Sequence, residues 1–276
     1  MNLTIATLAV PGAHIYYQTR GSGPTLMLIA GGAGDASSFD GIAPVLADRY
    51  TVVTFDRRGF LRSPMDDPVQ HVEIETHAED VHHVLLALGN EPAYVFGSSI
   101  GALIGLALTV RYPDQVRLLV AHEPPLSQLL SEAERANARL LELYRREGGA
   151  AAISKFAESI GVHPAGAAAL ARTQRDSRMA EHNVESFLKR DASAVGRYRL
   201  DVDALKTIRG RVVIAGGSGG RQYFPYRAAA KLAEQIGTPL VEFPGNHAGY
   251  TSEPAAFAAK LASILEASRG EVASPR

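Results

Sequence analysis

The sequence predicts an α/β protein with a mostly parallel central sheet flanked by helices. Short apolar runs of strand length recur along the chain, for example Thr25 to Ala30 and Thr51 to Phe55, and continuous apolar runs are typical of strands buried on both faces. Helical patterns separate most of these runs. Repeated strand–helix units form parallel sheets with right-handed crossovers, and their functional sites lie at the carboxyl ends of the strands.

Composition excludes several classes of protein. The 276 residues suffice for one large α/β domain with an inserted subdomain. The net charge is −1 with no basic stripe, so we expect no nucleic-acid partner. Cysteine is absent, which excludes a disulfide scaffold, a thiolate nucleophile and a Cys-ligated metal. No segment resembles a spanning helix or a signal peptide, so we expect a cytoplasmic protein without a membrane partner.

The first elements precede two candidate loops. Leu3 to Val10 and Ala13 to Gln18 alternate around Pro11-Gly12, which predicts a hairpin. The third strand runs directly into Gly31-Gly32-Ala33-Gly34, where small residues let backbone N–H groups approach a ligand or simply form a turn. A helix is predicted over Ser38 to Asp48, and the fourth strand then ends at Asp56-Arg57-Arg58-Gly59.

The next helix contains three histidines. Val81, Val84, Leu85 and Leu88 give Glu75 to Leu88 one apolar helical face. We interpret its histidines as surface or boundary residues, not metal ligands, because adjacent histidines cannot share a helical face and no carboxylate cluster completes a site. We therefore expect neither a metal nor a cofactor. The three histidines are His77, His82 and His83.

Ser99 lies in the stretch around which the chain is organised. An apolar strand, Ala93 to Phe96, leads into Gly97-Ser98-Ser99-Ile100-Gly101, and an apolar helix continues to about Arg111. This strand–turn–helix context supports a catalytic interpretation of G-x-S-x-G, which is otherwise a common pentapeptide. The turn strains the serine backbone and holds its Oγ at a helix N-terminus, where developing negative charge is stabilised.

Strand–helix alternation stops after the sixth strand. Val116 to Ala121 ends at His122-Glu123-Pro124-Pro125, and only helical patterns follow until about Thr207. We therefore predict a helical cap over residues 124–207, inserted into a core domain formed by residues 1–123 and 208–276. Alternation resumes with the strand Arg211 to Ala215 and the glycine loop Gly216 to Gly220.

The last strand leads to a histidine loop. Pro239 to Phe243 precedes Pro244-Gly245-Asn246-His247, and a final helix is predicted near Pro254 to Ala267. His247 and Ser99 thus both follow strands that end at the same edge of the sheet, as does Glu123. This convergence is the strongest argument for a catalytic site.

Taken together, these motifs resemble the α/β-hydrolase fold family over essentially the full chain. The resemblance rests on the first glycine loop, Asp56-Arg57-Arg58-Gly59, the G-x-S-x-G turn and the histidine loop. It implies that Ser99 is the nucleophile and His247 the base. It also implies an oxyanion hole formed by N–H groups of Gly32 or Ala33 together with Ile100.

The catalytic acid departs from the usual family pattern. The family commonly carries it after the strand corresponding to Arg211–Ala215, but Gly216 to Gly220 contains no carboxylate. Glu123 occupies the family's other known position. His-Glu-Pro there, with Pro-Gly-Asn-His and Gly249-Tyr250 later, is similar to the lactonases that open the macrolactone zearalenone. The predicted cap has no comparable motif, so this resemblance does not carry over a substrate.

Two other carboxylates could in principle supply the acid. We expect Asp56 to brace its own loop through Arg57 or Arg58, and Asp35 to lie beside the oxyanion glycines on the wrong side of Ser99. Glu123 is therefore the predicted acid, with an ordinary strand-end carboxylate as the alternative.

These residues predict a serine hydrolase acting on a small-molecule ester or lactone. A C–C bond hydrolase or a cofactor-free perhydrolase would use the same triad, and a ligand-binding receptor could retain it. A homodimer is one candidate for its oligomeric state.

Overall fold

Eight strands form one central sheet in the computed structural model, which describes residues 3–132, 157–162, 183 and 186–272. They are β1 (Leu3–Val10), β2 (Ala13–Arg20), β3 (Thr25–Ile29), β4 (Thr51–Phe55), β5 (Ala93–Ser98), β6 (Val116–His122), β7 (Val212–Gly217) and β8 (Val241–Phe243). Their spatial order is β1-β2-β4-β3-β5-β6-β7-β8. From β4 onward every neighbouring pair is parallel, whereas the β1–β2 hairpin adds an antiparallel edge. The predicted fold class is confirmed.

Helices cover both faces of the sheet. They are α1 (Ala43–Leu46), α2 (Ile74–Leu88), α3 (Ile100–Arg111), α4 (Ala192–Arg197), α5 (Val202–Thr207), α6 (Phe224–Ile236), α7 (Gly249–Ser252) and α8 (Pro254–Val272). The prediction of one continuous helix over Ser38 to Asp48 is wrong. A 3₁₀ turn over Ala36–Phe39 and the short α1 replace it, because Pro44 suits only the first turn of a helix.

Two apolar clusters separate the faces of the sheet. Helices α2, α3 and α6 supply the first, with Val81, Leu103 and Leu232 fully buried. Helices α1 and α8 supply the second, around Phe39 and Phe257. Every residue of β5 is buried, because β5 is a central parallel strand and both of its faces are covered.

The predicted cap region begins where β6 ends, after six strands. Residues 133–156, 163–182 and 184–185 of it lie outside the described residues. The described segments at its C-terminal end are helical, and Ala194, Tyr198 and Leu205 pack into the first apolar cluster. The last helices before β7 are therefore anchored directly on the core.

Candidate active site

Ser99 sits in a strained turn between β5 and α3. Its φ of 57° and ψ of −124° lie in a region that residues with a Cβ rarely adopt. The Ser99 N–H donates to the His122 carbonyl over 2.9 Å, which extends the β5–β6 ladder by one residue. A Cβ added at Gly97 would lie 2.2 Å from the Gly101 carbonyl oxygen, and one at Gly101 would lie 2.1 Å from the Ile29 oxygen. Both glycines are therefore required by close backbone approach.

The first glycine loop lies against Ser99. A Cβ added at Gly31 would lie 3.4 Å from the Ser99 Cβ. No acceptor among the described residues takes a hydrogen bond from the N–H groups of Gly32, Ala33 or Ile100. The Ile100 N–H opens α3 and has no intrahelical partner, as at any helix N-terminus. These are the three groups predicted to form the oxyanion hole, and their donors remain available.

Glu123 and His247 are in direct contact. Glu123 Oε2 lies 2.5 Å from His247 Nδ1, and the Gly217 N–H donates to Oε1 over 2.8 Å. Glu123 is buried, and its φ of 50° places it in the left-handed region. Burial by itself would raise the pKa of this carboxyl, but the hydrogen bond and charge of His247 hold the pKa below its ordinary value. The carboxylate is therefore ionised at neutral pH.

The second glycine loop, residues 216–220, packs closely against Glu123 and the loop that carries His247. A Cβ at Gly217 would lie 2.5 Å from the Asn246 carbonyl oxygen, and one at Gly220 would lie 3.3 Å from Glu123 Oε1. Gly219 donates its N–H to the Gly245 carbonyl over 2.8 Å. The loop that lacks a carboxylate thus holds both the acid and the histidine loop through its backbone.

His122 lies fully buried beside the acid. Its ring packs against Phe96, Phe243 and Phe257, with centroid separations of 5.5 to 6.3 Å. Neither ring nitrogen has a hydrogen-bond partner in the described part of the chain. Burial lowers the pKa of His122 to about 4. This imidazole is neutral at pH 7. The histidine in contact with Glu123 is His247, through its Nδ1.

The two alternative carboxylates are engaged elsewhere. Asp56 does not pair with Arg57 or Arg58 as the sequence suggests. It braces its own loop through Arg62, whose Nε donates over 2.7 Å. Asp35 is buried and accepts hydrogen bonds from the Ser37 N–H over 2.8 Å and from Asn183 Nδ2 over 2.5 Å.

Sequence reasoning missed a buried ionic cluster beneath the first glycine loop. His77 is only 1% exposed, so the prediction that it lies at the surface or boundary is wrong. Its Nε2 lies 3.1 Å from Asp191 Oδ1, and Asp191 also accepts from Arg57. Helical periodicity places His77 on α2 but says nothing about an acidic residue that arrives 114 positions later. The available signal was Asp191 itself, since an aspartate on an otherwise apolar helical face indicates a buried ion pair.

No metal site or membrane span is found among the residues that the structure describes. In that part of the chain, no three His, Asp or Glu side chains are grouped so that they could hold a metal ion. Likewise, no helix there combines the length and the apolar character needed to cross a bilayer.

Comparison with known proteins identifies the family. The model of the α/β hydrolase fold family matches residues 24–250, which contain the G-x-S-x-G turn, Glu123 and His247. The chain belongs to the α/β-hydrolase fold family and is a hydrolase of that fold, which confirms the resemblance.

Particular relatives refine this assignment. The chain is 41% identical to the uncharacterized hydrolase YraK of Bacillus subtilis (strain 168) over 270 residues, which cover 96% of this chain and 97% of that protein. It is 35% identical over 130 residues to a zearalenone hydrolase of Bionectria ochroleuca, covering 46% of this chain and 49% of that protein.

Solved structures share the fold at low sequence identity. A thermophilic esterase from Thermogutta terrifontis matches with a TM-score of 0.76 at 18% identity, covering 97% of this chain and 99% of that one. The enol-lactonase from Burkholderia xenovorans LB400 matches with a TM-score of 0.73 at 19% identity, covering 95% of this chain and 100% of that one.

Proposed function

We propose that this hydrolase cleaves carboxylic esters or lactones through Ser99, His247 and Glu123, by way of an acyl-enzyme. The observation that carries the proposal is the buried contact between Glu123 Oε2 and His247 Nδ1. It occurs at the edge of the sheet where Ser99 is held in a strained turn at the start of α3.

The ionised acid fixes the tautomer of the base. A carboxylate can only accept hydrogen bonds, so His247 Nδ1 must carry the proton in the contact with Glu123. In the neutral imidazole, His247 Nε2 is then the nitrogen without a proton, able to take the hydroxyl proton of Ser99. Glu123 also stabilises the imidazolium that results from this transfer, which is the role of the acid in a serine triad.

Acylation follows from this arrangement. Ser99 Oγ attacks the carbonyl carbon while His247 accepts its proton, and the carbonyl π electrons move onto oxygen. N–H groups of Gly32 or Ala33 and of Ile100 stabilise the oxyanion, and each such donor is typically worth about 3–4 kcal/mol. As the tetrahedral intermediate collapses, the bond to the alcohol oxygen breaks and His247 returns the proton to that oxygen.

Deacylation repeats the sequence with water as the nucleophile. His247 takes a proton from the water as the hydroxide adds to the acyl carbon. The bond from that carbon to Ser99 Oγ then breaks, and His247 returns the proton to Oγ, so that Ser99 leaves as its alcohol. With a lactone, the departing alcohol remains tethered to the acyl chain, so the product is one hydroxy acid. The Bionectria ochroleuca relative is named as a hydrolase of zearalenone, and this supports a lactone as one candidate substrate.

Covalent labelling tests the proposal. A fluorophosphonate probe should label the wild-type protein, and Ser99→Ala should abolish labelling and lower ester turnover by at least about 10⁴-fold. Ser98→Ala is the matched control, because this neighbouring serine is buried and should retain labelling. A screen of p-nitrophenyl esters and lactones then separates an ester hydrolase from a C–C hydrolase, a perhydrolase or a receptor. The assignment of Ser99 as the nucleophile would be refuted if Ser99→Ala were still labelled, or if labelling were lost in Ser98→Ala but not in Ser99→Ala.

A further inference from the structure

Arg57 lies buried beneath the first glycine loop and binds its backbone. Its Nη1 donates to the carbonyl oxygens of Ala30 and Gly31, each over 2.6 Å. Its own N–H donates to the Gly34 carbonyl over 2.8 Å. The Arg57 side chain is fully buried. One residue thus holds three carbonyl groups of the loop that runs beside Ser99.

The hydrogen bonds from Arg57 also fix the orientation of the N–H groups that belong to the same peptide units. In a planar trans peptide the C=O and the following N–H point in opposite directions. The Gly31 carbonyl faces Arg57, so the Gly32 N–H faces away from Arg57. The Gly31 carbonyl also accepts the Gly34 N–H over 3.1 Å. Rotation of the Gly31–Gly32 peptide would break this bond and the shorter bond to Arg57 Nη1, and it would redirect this predicted oxyanion donor.

Asp191 holds Arg57 from the last helical segment before α4. Its Oδ2 accepts from Arg57 Nη2 over 2.7 Å, and Oδ1 lies 3.1 Å from His77 Nε2. Asp191 ends a π-helical turn, Phe187–Asp191, in which the Ala192 N–H donates to the Phe187 carbonyl. Such turns interrupt α-helices and are frequent at functional sites.

The same turn also reaches the glycine loop from outside. A Cβ added at Gly32 would lie 3.5 Å from the Phe187 ring. The π turn therefore contacts the loop twice, through Phe187 at Gly32 and through Asp191 and Arg57 at Gly31. Both contacts end on the same peptide unit.

We propose that Asp191 is a positioning residue for the oxyanion hole. Through Arg57 it fixes the peptide between Gly31 and Gly32, so that docking of the Phe187–Asp191 turn completes the hole. This inference rests on the proposed serine-hydrolase function. It goes beyond that function by making transition-state stabilisation depend on a residue from the predicted cap region that does not contact the substrate.

A second buried pair in the same loop provides a matched control. Arg58 forms a two-pronged ion pair with Asp80 of α2, and both side chains are at most 3% exposed. Arg58 also donates to the Pro11 carbonyl, away from the glycine loop. Removing either acid leaves one buried guanidinium without its carboxylate, so both changes should destabilise the fold. Of these two acids, Asp191 is the one that is connected, through Arg57, to the Gly31 carbonyl.

The experiment compares Asp191→Ala with Asp80→Ala. Fluorophosphonate labelling should be measured against probe concentration in both variants and in wild type, with thermal unfolding followed in parallel. One oxyanion donor is typically worth about 10²–10³ in rate. We therefore expect Asp191→Ala to slow maximal labelling by about 10–100-fold with little change in half-saturating concentration, and Asp80→Ala to stay within about threefold of wild type.

Conservative variants sharpen the test. Asp191→Asn keeps an oxygen that can accept from Arg57 Nη2, so it should recover most of the labelling rate. Arg57→Lys keeps the charge, but its single ammonium nitrogen cannot replace the two separated nitrogens of the guanidinium, Nη1 on the carbonyls and Nη2 on Asp191. It should therefore be as slow as Asp191→Ala. It replaces Asp191→Ala if that variant does not fold.

Equal labelling by Asp191→Ala and Asp80→Ala, or no recovery in Asp191→Asn, would overturn the inference while leaving the triad intact. Failure of the wild-type protein to be labelled would instead reject the proposed function itself.

Discussion

Replacing His122 with phenylalanine should make the fold markedly more resistant to acid. In the folded state the pKa of His122 is about 4, against an ordinary value of 6.5. Between these values the unfolded chain binds a proton that the folded chain excludes, so stability falls as the pH is lowered. The ring is enclosed by Phe96, Phe243 and Phe257, and phenylalanine suits such an environment without titrating.

The magnitude follows from the difference between the two pKa values. A difference of about 2.5 corresponds to about 3 kcal/mol once the pH is below both values, since each unit is worth about 1.4 kcal/mol. Between pH 7 and pH 5, the His122 contribution is about 2 kcal/mol. Groups that do not interact with His122 titrate alike in both proteins, so their effects cancel in the comparison.

Urea unfolding followed by circular dichroism at pH 7 and pH 5 measures this effect. The free energy of unfolding should fall by about 2 kcal/mol less in His122→Phe than in wild type. Equal losses in the two proteins would refute the reasoning, because they would mean that His122 is protonated or solvated in the folded state.

Two further predictions concern the triad and the π turn. Glu123→Gln should keep the fold but lower kcat by up to about 10⁴-fold, because a neutral amide cannot stabilise the His247 imidazolium. Asp56→Asn should cost much less activity, and the reverse ranking in steady-state assays would disprove the acid assignment. The Phe187 ring lies 3.5 Å from the position of a Cβ added at Gly32, and we predict that this ring also lines the acyl pocket. Phe187→Ala should then change the ratio of kcat/KM between short and long p-nitrophenyl esters by about tenfold while Ser99 is still labelled. A uniform change across all acyl lengths would argue against a pocket-lining role for Phe187.

The sheet was predictable because its signals are local. Buried parallel strands read as short apolar runs, and the runs over Thr25–Ile29 and Thr51–Phe55 recover β3 and β4. The strained turn at Ser99 was equally readable, because G-x-S-x-G lies between an apolar strand and an apolar helix in the sequence. Gly97 is required by a contact within that unit, whereas Gly101 is required by the Ile29 carbonyl oxygen of the neighbouring strand β3. The hydrogen bond from His247 to Glu123 was expected from the absence of any carboxylate in residues 216–220.

Contacts between distant segments were not predictable in the same way. The partners of Arg57 and Arg58 were misjudged because adjacent residues in a loop point in different directions, one toward Asp191 and the other toward Asp80. A sequence pattern shows which residues carry charge. It does not show which segment arrives to neutralise them, and that choice belongs to tertiary packing.

The register of the sheet has a mechanical consequence for the triad. Ser98 pairs with His122 across β5 and β6. Ser99 and Glu123 are therefore the residues that directly follow this paired position on the two strands. The ladder continues from that position, because the Glu123 N–H donates to the Ala215 carbonyl of β7 over 2.9 Å. Two of the three residues of the proposed triad thus lie directly at strand ends of the same sheet, and no flexible loop separates them from its hydrogen-bonded ladder. Insertions in the loops that follow the strands would therefore displace His247 more readily than they would change the spacing of Ser99 and Glu123.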